Sequence, residues 1–464
     1  MKHLYLSLFI IASICLHAGT IVFKGEIKEI PKKAHTHLYF LAHAGGNTIM
    51  LDSLKLDAKG RFSFASKMDL EAGLYYLSLD KLNLKPIILS PSEPNVEINS
   101  SYESWNKGEV SILNSKENEG YTVLNKLLNA HNEGINDFRS KINISKVDSF
   151  YNREVEAAED HISFRTSQLN QQLFGLQKEY KGTYIGDVLS MMYIVPQMSE
   201  YPSVAQHYDN TPSFLHDHYW DFTNFKDPRV LNAPMFLAKL NEYSVNFADF
   251  NGLRAQGSID KLLVRALENE LVFDYCIRYL FRLFSEENMD EQMVYILSNY
   301  IDKEGVGLLQ STTQYVNTFR QSLRGLRVQD FISKTSSGVE VRLSEVLAKH
   351  KTCLLYFWSS THKASTELNK DLKEIRKAVG LDNLGIMGVS FETDGIQWKN
   401  TVDALGLDWA NVSDLKGGNS PLIQQFNVKQ LPNLLLLRSD GTIIMRNPDL
   451  KKMVAVLLEA FNNQ

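Results

Sequence analysis

The sequence predicts a multidomain chain with a small antiparallel β domain at the N-terminus, a central all-α domain and a C-terminal α/β domain. Three patterns point to this. Before about residue 105, short apolar–polar alternations are separated by turn residues at close spacing, as in antiparallel strands. From about 106 to 325, apolar residues recur at three, four and seven, the spacing of one helix face. From about 326 onward, apolar runs alternate with helical stretches, the order that builds a sheet covered by helices. A length of 464 residues fits about three domains.

In the first region Ile21, Phe23, Gly25 and Ile27 alternate with polar residues, and His37, Tyr39 and Leu41 do the same. Leu54 and Leu56 continue the pattern, and Asp57-Ala58-Lys59-Gly60 reads as a turn. Arg61 to Phe64, Gly73 to Leu77 and Pro86 to Leu89 supply further strands. A small sandwich or barrel is expected over 19–105. Phe23-Lys24-Gly25-Glu26-Ile27, Leu51-Asp52-Ser53, Lys59-Gly60-Arg61-Phe62-Ser63-Phe64 and Leu74-Tyr75-Tyr76-Leu77 give it a resemblance to a β domain that precedes thioredoxin-like domains in exported proteins of some Gram-negative bacteria. No chemistry goes with that resemblance.

In the region 106–325, Tyr121, Leu124, Leu127, Leu128, Ile135 and Phe138 share one helix face, and Phe164, Leu169, Leu173, Leu176 and Tyr180 loosely share another. The polar segment 104–118 reads as a linker. The segment 199–233 is rich in Pro, Asn, Asp and aromatic residues and reads as a structured loop. Its His216-Asp217-His218-Tyr219-Trp220-Asp221-Phe222 and Asp227-Pro228-Arg229-Val230-Leu231 resemble a helical module found between the same two flanking domains. It also holds His207, and on an extended segment His216 and His218 would point the same way. Imidazole is a common metal ligand, but no further ligand stands at a recognised spacing, so no metal site is predicted.

From 326 the pattern is strand, helix, strand, helix, then a hairpin and a last helix, the plan of a thioredoxin-like fold. Thr352 to Trp358 is continuously apolar, as a central parallel strand must be. Ser365 to Val379, Leu384 to Phe391, Trp398 to Leu405, Asn433 to Leu437, Thr442 to Arg446 and Lys451 to Phe461 are the remaining elements. The region resembles the exported TlpA/ResA-type thiol-disulfide oxidoreductases of the thioredoxin superfamily, and more loosely the redoxin (AhpC/TSA) group of peroxiredoxins. The matching segments are Gly325-Leu326-Arg327-Val328-Gln329-Asp330-Phe331, Ser337-Gly338-Val339-Glu340-Val341-Arg342-Leu343, Tyr356-Phe357-Trp358-Ser359-Ser360, Asn427-Val428-Lys429-Gln430-Leu431-Pro432-Asn433 and Asp440-Gly441-Thr442-Ile443.

Active members of that family carry Trp-Cys-x-x-Cys straight after the strand. The resemblance aligns Thr361-His362-Lys363-Ala364-Ser365 with that motif. His362 stands where the nucleophilic thiol belongs, Ser365 where the resolving thiol belongs, and Thr361 where the Trp belongs. Neither replacement can form or break a disulfide, because exchange needs a thiolate and a leaving sulfur. The sequence has three cysteines, Cys15, Cys276 and Cys353. Cys276 lies in a helical pattern and Cys353 inside the strand, about 15 Å or more from position 362 at the rise of a β-strand. Both are expected to be buried free thiols. His362 and Ser365, three apart at a helix start, can face each other, but no acid is placed to complete a hydrolytic set. The resemblance also implies that Pro432 is the family's cis-proline and shapes a groove for an extended peptide or an envelope protein.

A formal net charge of −5 with scattered Lys and Arg gives no reason to expect nucleic acid. Lys2 and His3, an apolar run from Leu4 to Leu16 and the small Ala18 read as an export signal over 1–18. The run is shorter than the about 20 residues a membrane span needs. Cys15 follows Ile14, where a lipid-anchoring site wants a small residue, so anchoring is the lesser reading. The expected domains are 19–105, 106–325 and 326–464. The expected protein resides in the periplasm or cell envelope and carries no cofactor. It is redox-inactive and acts in binding or as a scaffold; the alternative is a thiol-disulfide oxidoreductase or peroxiredoxin-like enzyme.

Overall fold

The structure, a computed structural model, describes residues 21–31, 36–44, 47–66, 69–141, 149–303 and 307–462. The expected export signal and Cys15 lie outside them. The chain divides into two compact units, Met1–Val272 and Phe273–Gln464.

The N-terminal unit opens with β1 (Val22–Lys28), β2 (His37–Ala44), β3 (Asn47–Lys55), β4 (Arg61–Ala65), β5 (Gly73–Ser78), β6 (Lys85–Leu89), β7 (Asn95–Ser101) and, after a short helix, β8 (Ser111–Leu113). They form two four-stranded sheets, ordered β4-β1-β7-β8 and β3-β2-β5-β6. Neighbours are antiparallel except β1 and β7, which run parallel. Phe23 packs against Phe40 and Phe64 in the core, with ring centroids 5.2 and 4.8 Å apart. Gly25 lets β1 approach β7, since a Cβ there would fall 1.8 Å from the Ile98 carbonyl oxygen.

Two sequence readings need correction here. β2 buries Leu38 and Phe40 rather than His37 and Tyr39. Its two faces are similarly apolar, and a register shift at Phe40/Leu41 brings Leu41 inward as well. The stretch 104–118 is not a bare linker. It holds most of α1 (Tyr102–Lys107), which places Trp105 in the β core, then β8, then the start of α2 (Lys116–Lys141).

α2 packs on α3 (Ser149–Glu179), followed by a π-helical turn at Ile185–Leu189. The buried Glu117 carboxylate of α2 accepts hydrogen bonds from the backbone N–H groups of Tyr184 (2.7 Å) and Ile185 (2.9 Å). α4 (Pro202–Ala205), α5 (Thr211–His218), α6 (Met235–Asn246) and α7 (Ala255–Ala266) complete the unit. The segment 199–233 is thus largely helical turns. Asn210 caps α5 by accepting from Ser213 N–H, and a proline stands in its first turn. His216 and His218 lie on a helix, not a strand, so two residues apart they point to different sides. His216 is buried and bonds Asp217 and Ser258, while the half-buried His218 bonds Tyr208 and Asp221. Among the described residues no group of three or more His, Cys, Asp or Glu is arranged to hold a metal.

α8 (Glu270–Glu286) straddles the division, and α9 (Asp290–Ile296) and α10 (Gln310–Arg320) belong to the C-terminal unit. Then follow β9 (Ile332–Thr335), β10 (Glu340–Arg342), α11 (Leu343–Leu347), β11 (Thr352–Trp358), α12 (Lys363–Val379), β12 (Leu384–Ser390), α13 (Gly395–Leu405), β13 (Ala410–Ser413), α14 (Pro421–Gln425), β14 (Asn433–Arg438), β15 (Ile443–Arg446) and α15 (Leu450–Asn462). One seven-stranded sheet runs β10-β9-β13-β12-β11-β14-β15. β11 lies parallel to β12 and antiparallel to β14, and every residue of it is buried. Cys353, Leu355 and Phe357 fill the core on one face; Leu354, Tyr356 and Trp358 fill it on the other. A largely buried ion pair, Arg446 to Asp290 at 2.9 Å, ties β15 to α9. The three-part architecture expected from the sequence is the one observed. No described helix is long and apolar enough to cross a membrane.

Candidate functional site

β11, an interior strand of the sheet, ends at its rim and passes the chain through Ser359, Ser360 and Thr361 into α12. Ser359 and Thr361 share a hydroxyl hydrogen bond of 3.0 Å. The N–H of Ser360 donates to the carboxylate of Glu392, which also accepts from the Ser390 hydroxyl at 3.0 Å. Glu392 is buried just beyond the end of β12.

His362 is the N-cap residue of α12. Its carbonyl accepts from the N–H groups of Ser365 (3.0 Å) and Thr366 (3.1 Å), while its side chain caps no backbone group. The ring instead turns toward Ser365, with Nδ1 3.1 Å from Oγ. His362 is exposed and Ser365 fully buried. The Ser365 carbonyl accepts from Tyr356 Oη at 2.6 Å and Asn369 Nδ2 at 3.1 Å. Lys363 and Ala364 are exposed, and Lys363 reaches Glu367 at 3.7 Å. In β12 a Cβ at Gly388 would fall 2.6 Å from Asn411 Oδ1 and 3.1 Å from Trp358 Nε1, so a side chain there would have to push the Asn411 amide aside.

The Leu431–Pro432 peptide bond is cis. Leu431 and the residues before it, from Val428, face Ser359, Thr361 and His362 across a cavity of about 300 Å³. Phe391 and Ile423 also line it. The structure thus brings His362, Ser365 and the Pro432 loop into one place.

The arrangement supplies no thiol. Cys353 and Cys276 are free and fully buried. Burial pushes the Cys353 thiol up to about 12 and raises that of Cys276 as well. A reactive cysteine needs the opposite, an exposed and electropositive setting. Nor does the His362–Ser365 pair form a hydrolytic set, because among the described residues no carboxylate is hydrogen-bonded to His362 to orient it. Sequence reasoning missed Tyr356 and Glu392, which hold the loop through its main chain. Tyr356 reads as an ordinary strand residue, and Glu392 as a surface charge after a strand.

Residues 350–443 match the family described as Thioredoxin-like, and residues 16–121 match one described as a domain of unknown function (DUF4369). No curated protein matches the chain. Among solved structures, the chain is 30% identical to the C-terminal domain of a proposed thiol-disulfide oxidoreductase from Bacteroides thetaiotaomicron, over 30% of this chain and 99% of that one, with a TM-score of 0.28. It is 25% identical to a thiol-disulfide oxidoreductase from Bacteroides fragilis, over 29% of this chain and 98% of that one, with a TM-score of 0.27. A thioredoxin-like protein from Bacteroides caccae is 18% identical over 53% of this chain and 92% of that one, with a TM-score of 0.36.

Proposed function

We propose that this chain, whose C-terminal domain is thioredoxin-like, is an exported protein of the bacterial cell envelope that binds an extended peptide or protein segment beside His362 and performs no thiol exchange. One observation carries this reading. At the helix start where exchange needs a thiolate and a second sulfur, His362 Nδ1 and Ser365 Oγ stand 3.1 Å apart. The groove beside them remains. It offers a cavity of about 300 Å³, the polar side chains of Lys429 and Gln430, and apolar contact at Phe391 and Ile423. The N–H groups at the start of α12 lie at the same rim, where helix ends leave backbone donors for an incoming acceptor. An extended segment recognised through its main chain suits such a surface. Export rests on the pattern from Lys2 to Ala18.

The test has two arms. The purified mature chain should not accelerate the reduction of insulin by dithiothreitol, and an acceleration that Cys353→Ser abolishes would replace this reading with that of a thiol enzyme. A panel of immobilised unstructured peptides should retain the chain, and His362→Ala combined with Gln430→Ala should weaken that retention. A fusion of residues 1–30 to alkaline phosphatase should be active outside the cytoplasm.

A further inference from the structure

The loop between α6 and α7, residues 247–254, holds the sequence's one Asn-Gly pair, Asn251-Gly252. Both residues are exposed, as are Leu253 and Arg254 after them. Among the described residues neither the Asn251 side chain nor the Gly252 N–H takes part in a hydrogen bond. Other asparagines at helix starts and turns are tied down. Asn210, Asn224 and Asn269 accept with their amide oxygens from the N–H groups of Ser213, Lys226 and Leu271. Each of the three also precedes a residue with a side chain, Thr211, Phe225 and Glu270. The loop is anchored around Asn251 rather than at it. The Asp249 N–H donates to Ser258 Oγ at 2.9 Å, and the Arg254 N–H donates to the Asp249 carboxylate at 3.3 Å. A Cβ at Gly252 would fall 2.3 Å from both oxygens of that carboxylate, so a side chain there would have to displace a group already bonded to Arg254.

We propose that Asn251 is a site of spontaneous modification, closing on Gly252 to a succinimide and opening to isoaspartate. The Gly252 nitrogen gives its proton to hydroxide and attacks Asn251 Cγ. As that C–N bond forms, the bond from Cγ to the amide nitrogen breaks, and the nitrogen leaves as ammonia with a proton from water. Water then adds to one of the two ring carbonyls. Opening at the side-chain carbonyl gives aspartate; opening at the main-chain carbonyl gives isoaspartate, with the chain rerouted through Cγ. The sum is amide and water to acid and ammonia, with no other reactant. Glycine has no Cβ to block the approach, and exposure lets hydroxide and water reach the turn. The product sets a second carboxylate in the turn that holds Asp249 and, as isoaspartate, lengthens the main chain between the two anchors.

The test is site-resolved peptide mapping by mass spectrometry of the full chain held at mildly alkaline pH, with electron-transfer fragmentation to separate isoaspartate from aspartate. Asn251 should gain the mass of an amide-to-acid exchange at least about tenfold faster than any other asparagine, because it alone precedes a residue without a side chain. Isoaspartate should be the major product, and the rate should rise with pH. Asn251→Gln, at an exposed position, should end the conversion in this peptide. An unchanged Asn251, or another asparagine converting as fast, overturns the proposal. So does conversion in urea only, which would mean that the folded loop holds the amide away from Gly252. Aspartate without isoaspartate overturns it too, since hydrolysis that bypasses the ring leaves the main chain as it was. Failure here leaves the reading of the His362 groove standing, since that groove lies in the other unit.

Discussion

Both units bury polar groups, but they use them differently. In the C-terminal unit β11 is buried along its whole length and mainly apolar after Thr352, and His362 and Ser365 stand beyond its end at the rim. In the N-terminal unit charged and polar groups are carried inward: Glu117, Asn118, His216 and Lys239 are all buried. At the rim, the bonds that hold the loop go to main-chain atoms. Tyr356 and Asn369 donate to the Ser365 carbonyl, and Glu392 accepts from the Ser360 N–H. The side chains at 362 and 365 can change without loosening that frame. In the N-terminal interior Glu117, Asn118 and His216 are themselves among the frame's bonds. The side chains at 362 and 365 can therefore be exchanged at little cost in folding, whereas a substitution at Glu117 or His216 inside the N-terminal unit removes a support.

The largest expected effect tests that difference directly. Glu117→Ala strands the buried N–H groups of Tyr184 and Ile185, at about 1–3 kcal/mol each, so a loss of about 3 kcal/mol is expected. Tyr356→Phe removes one bond to the loop frame and should cost about 1 kcal/mol. Urea unfolding, with hydrogen exchange to assign each loss to its unit, measures both. Equal costs would break the contrast.

Lys239 sharpens it through pH. Its ammonium is fully buried, 4.4 Å from the Tyr219 ring centroid, and burial pushes it down to about 8 from an ordinary 10.5. Between these values the unfolded chain holds a proton that the folded chain has released, so stability rises with pH. The contribution of Lys239, read as the difference from Lys239→Met, should grow by about 2 kcal/mol from about pH 8 to about pH 10, an interval in which unfolded tyrosines also begin to titrate. Lys239→Met should flatten that rise. Parallel curves for the two chains would show that the lysine is not desolvated in solution.

The same difference decides what could be read from the sequence. β11 is legible because a strand buried on both faces runs apolar without a break from Cys353 to Trp358. The start of α12 and the Pro432 loop followed from the family resemblance. β2 was read on the wrong face because both its faces are apolar and a register shift interrupts the alternation. The segment around His216 was read as extended because its helices are short and held by caps and aromatic contacts rather than by a long periodic stripe. Glu117, Lys239 and Arg165 resemble the surface charges of any amphipathic helix. Only the three-dimensional packing shows that Gly134 seats a guanidinium, or that Glu392 reaches the loop.

The smallest expected effect on stability is at the rim, and it carries the largest expected change in chemistry. Replacing both His362→Cys and Ser365→Cys should alter the stability of the reduced chain by less than about 1 kcal/mol, because His362 is exposed and a cysteine at the buried position 365 packs as a small hydrophobe. Every bond that holds the loop is made to main chain or to neighbouring side chains and survives the exchange. The two positions already bring Nδ1 and Oγ to 3.1 Å, so the same turn can bring two sulfurs together. The first thiol would sit at the N-cap of α12, where the helix end favours the thiolate. The second would sit one turn on, buried like Ser365, which keeps it protonated until the first has formed a mixed disulfide that it can resolve. The double variant should therefore reduce insulin with dithiothreitol while the unaltered chain does not, and a reducible pair should appear in thiol titration. A folded but inert variant would mean that the loop differs from its active relatives in more than its two thiols. Thr361 in place of the family's Trp would then be the first residue to restore.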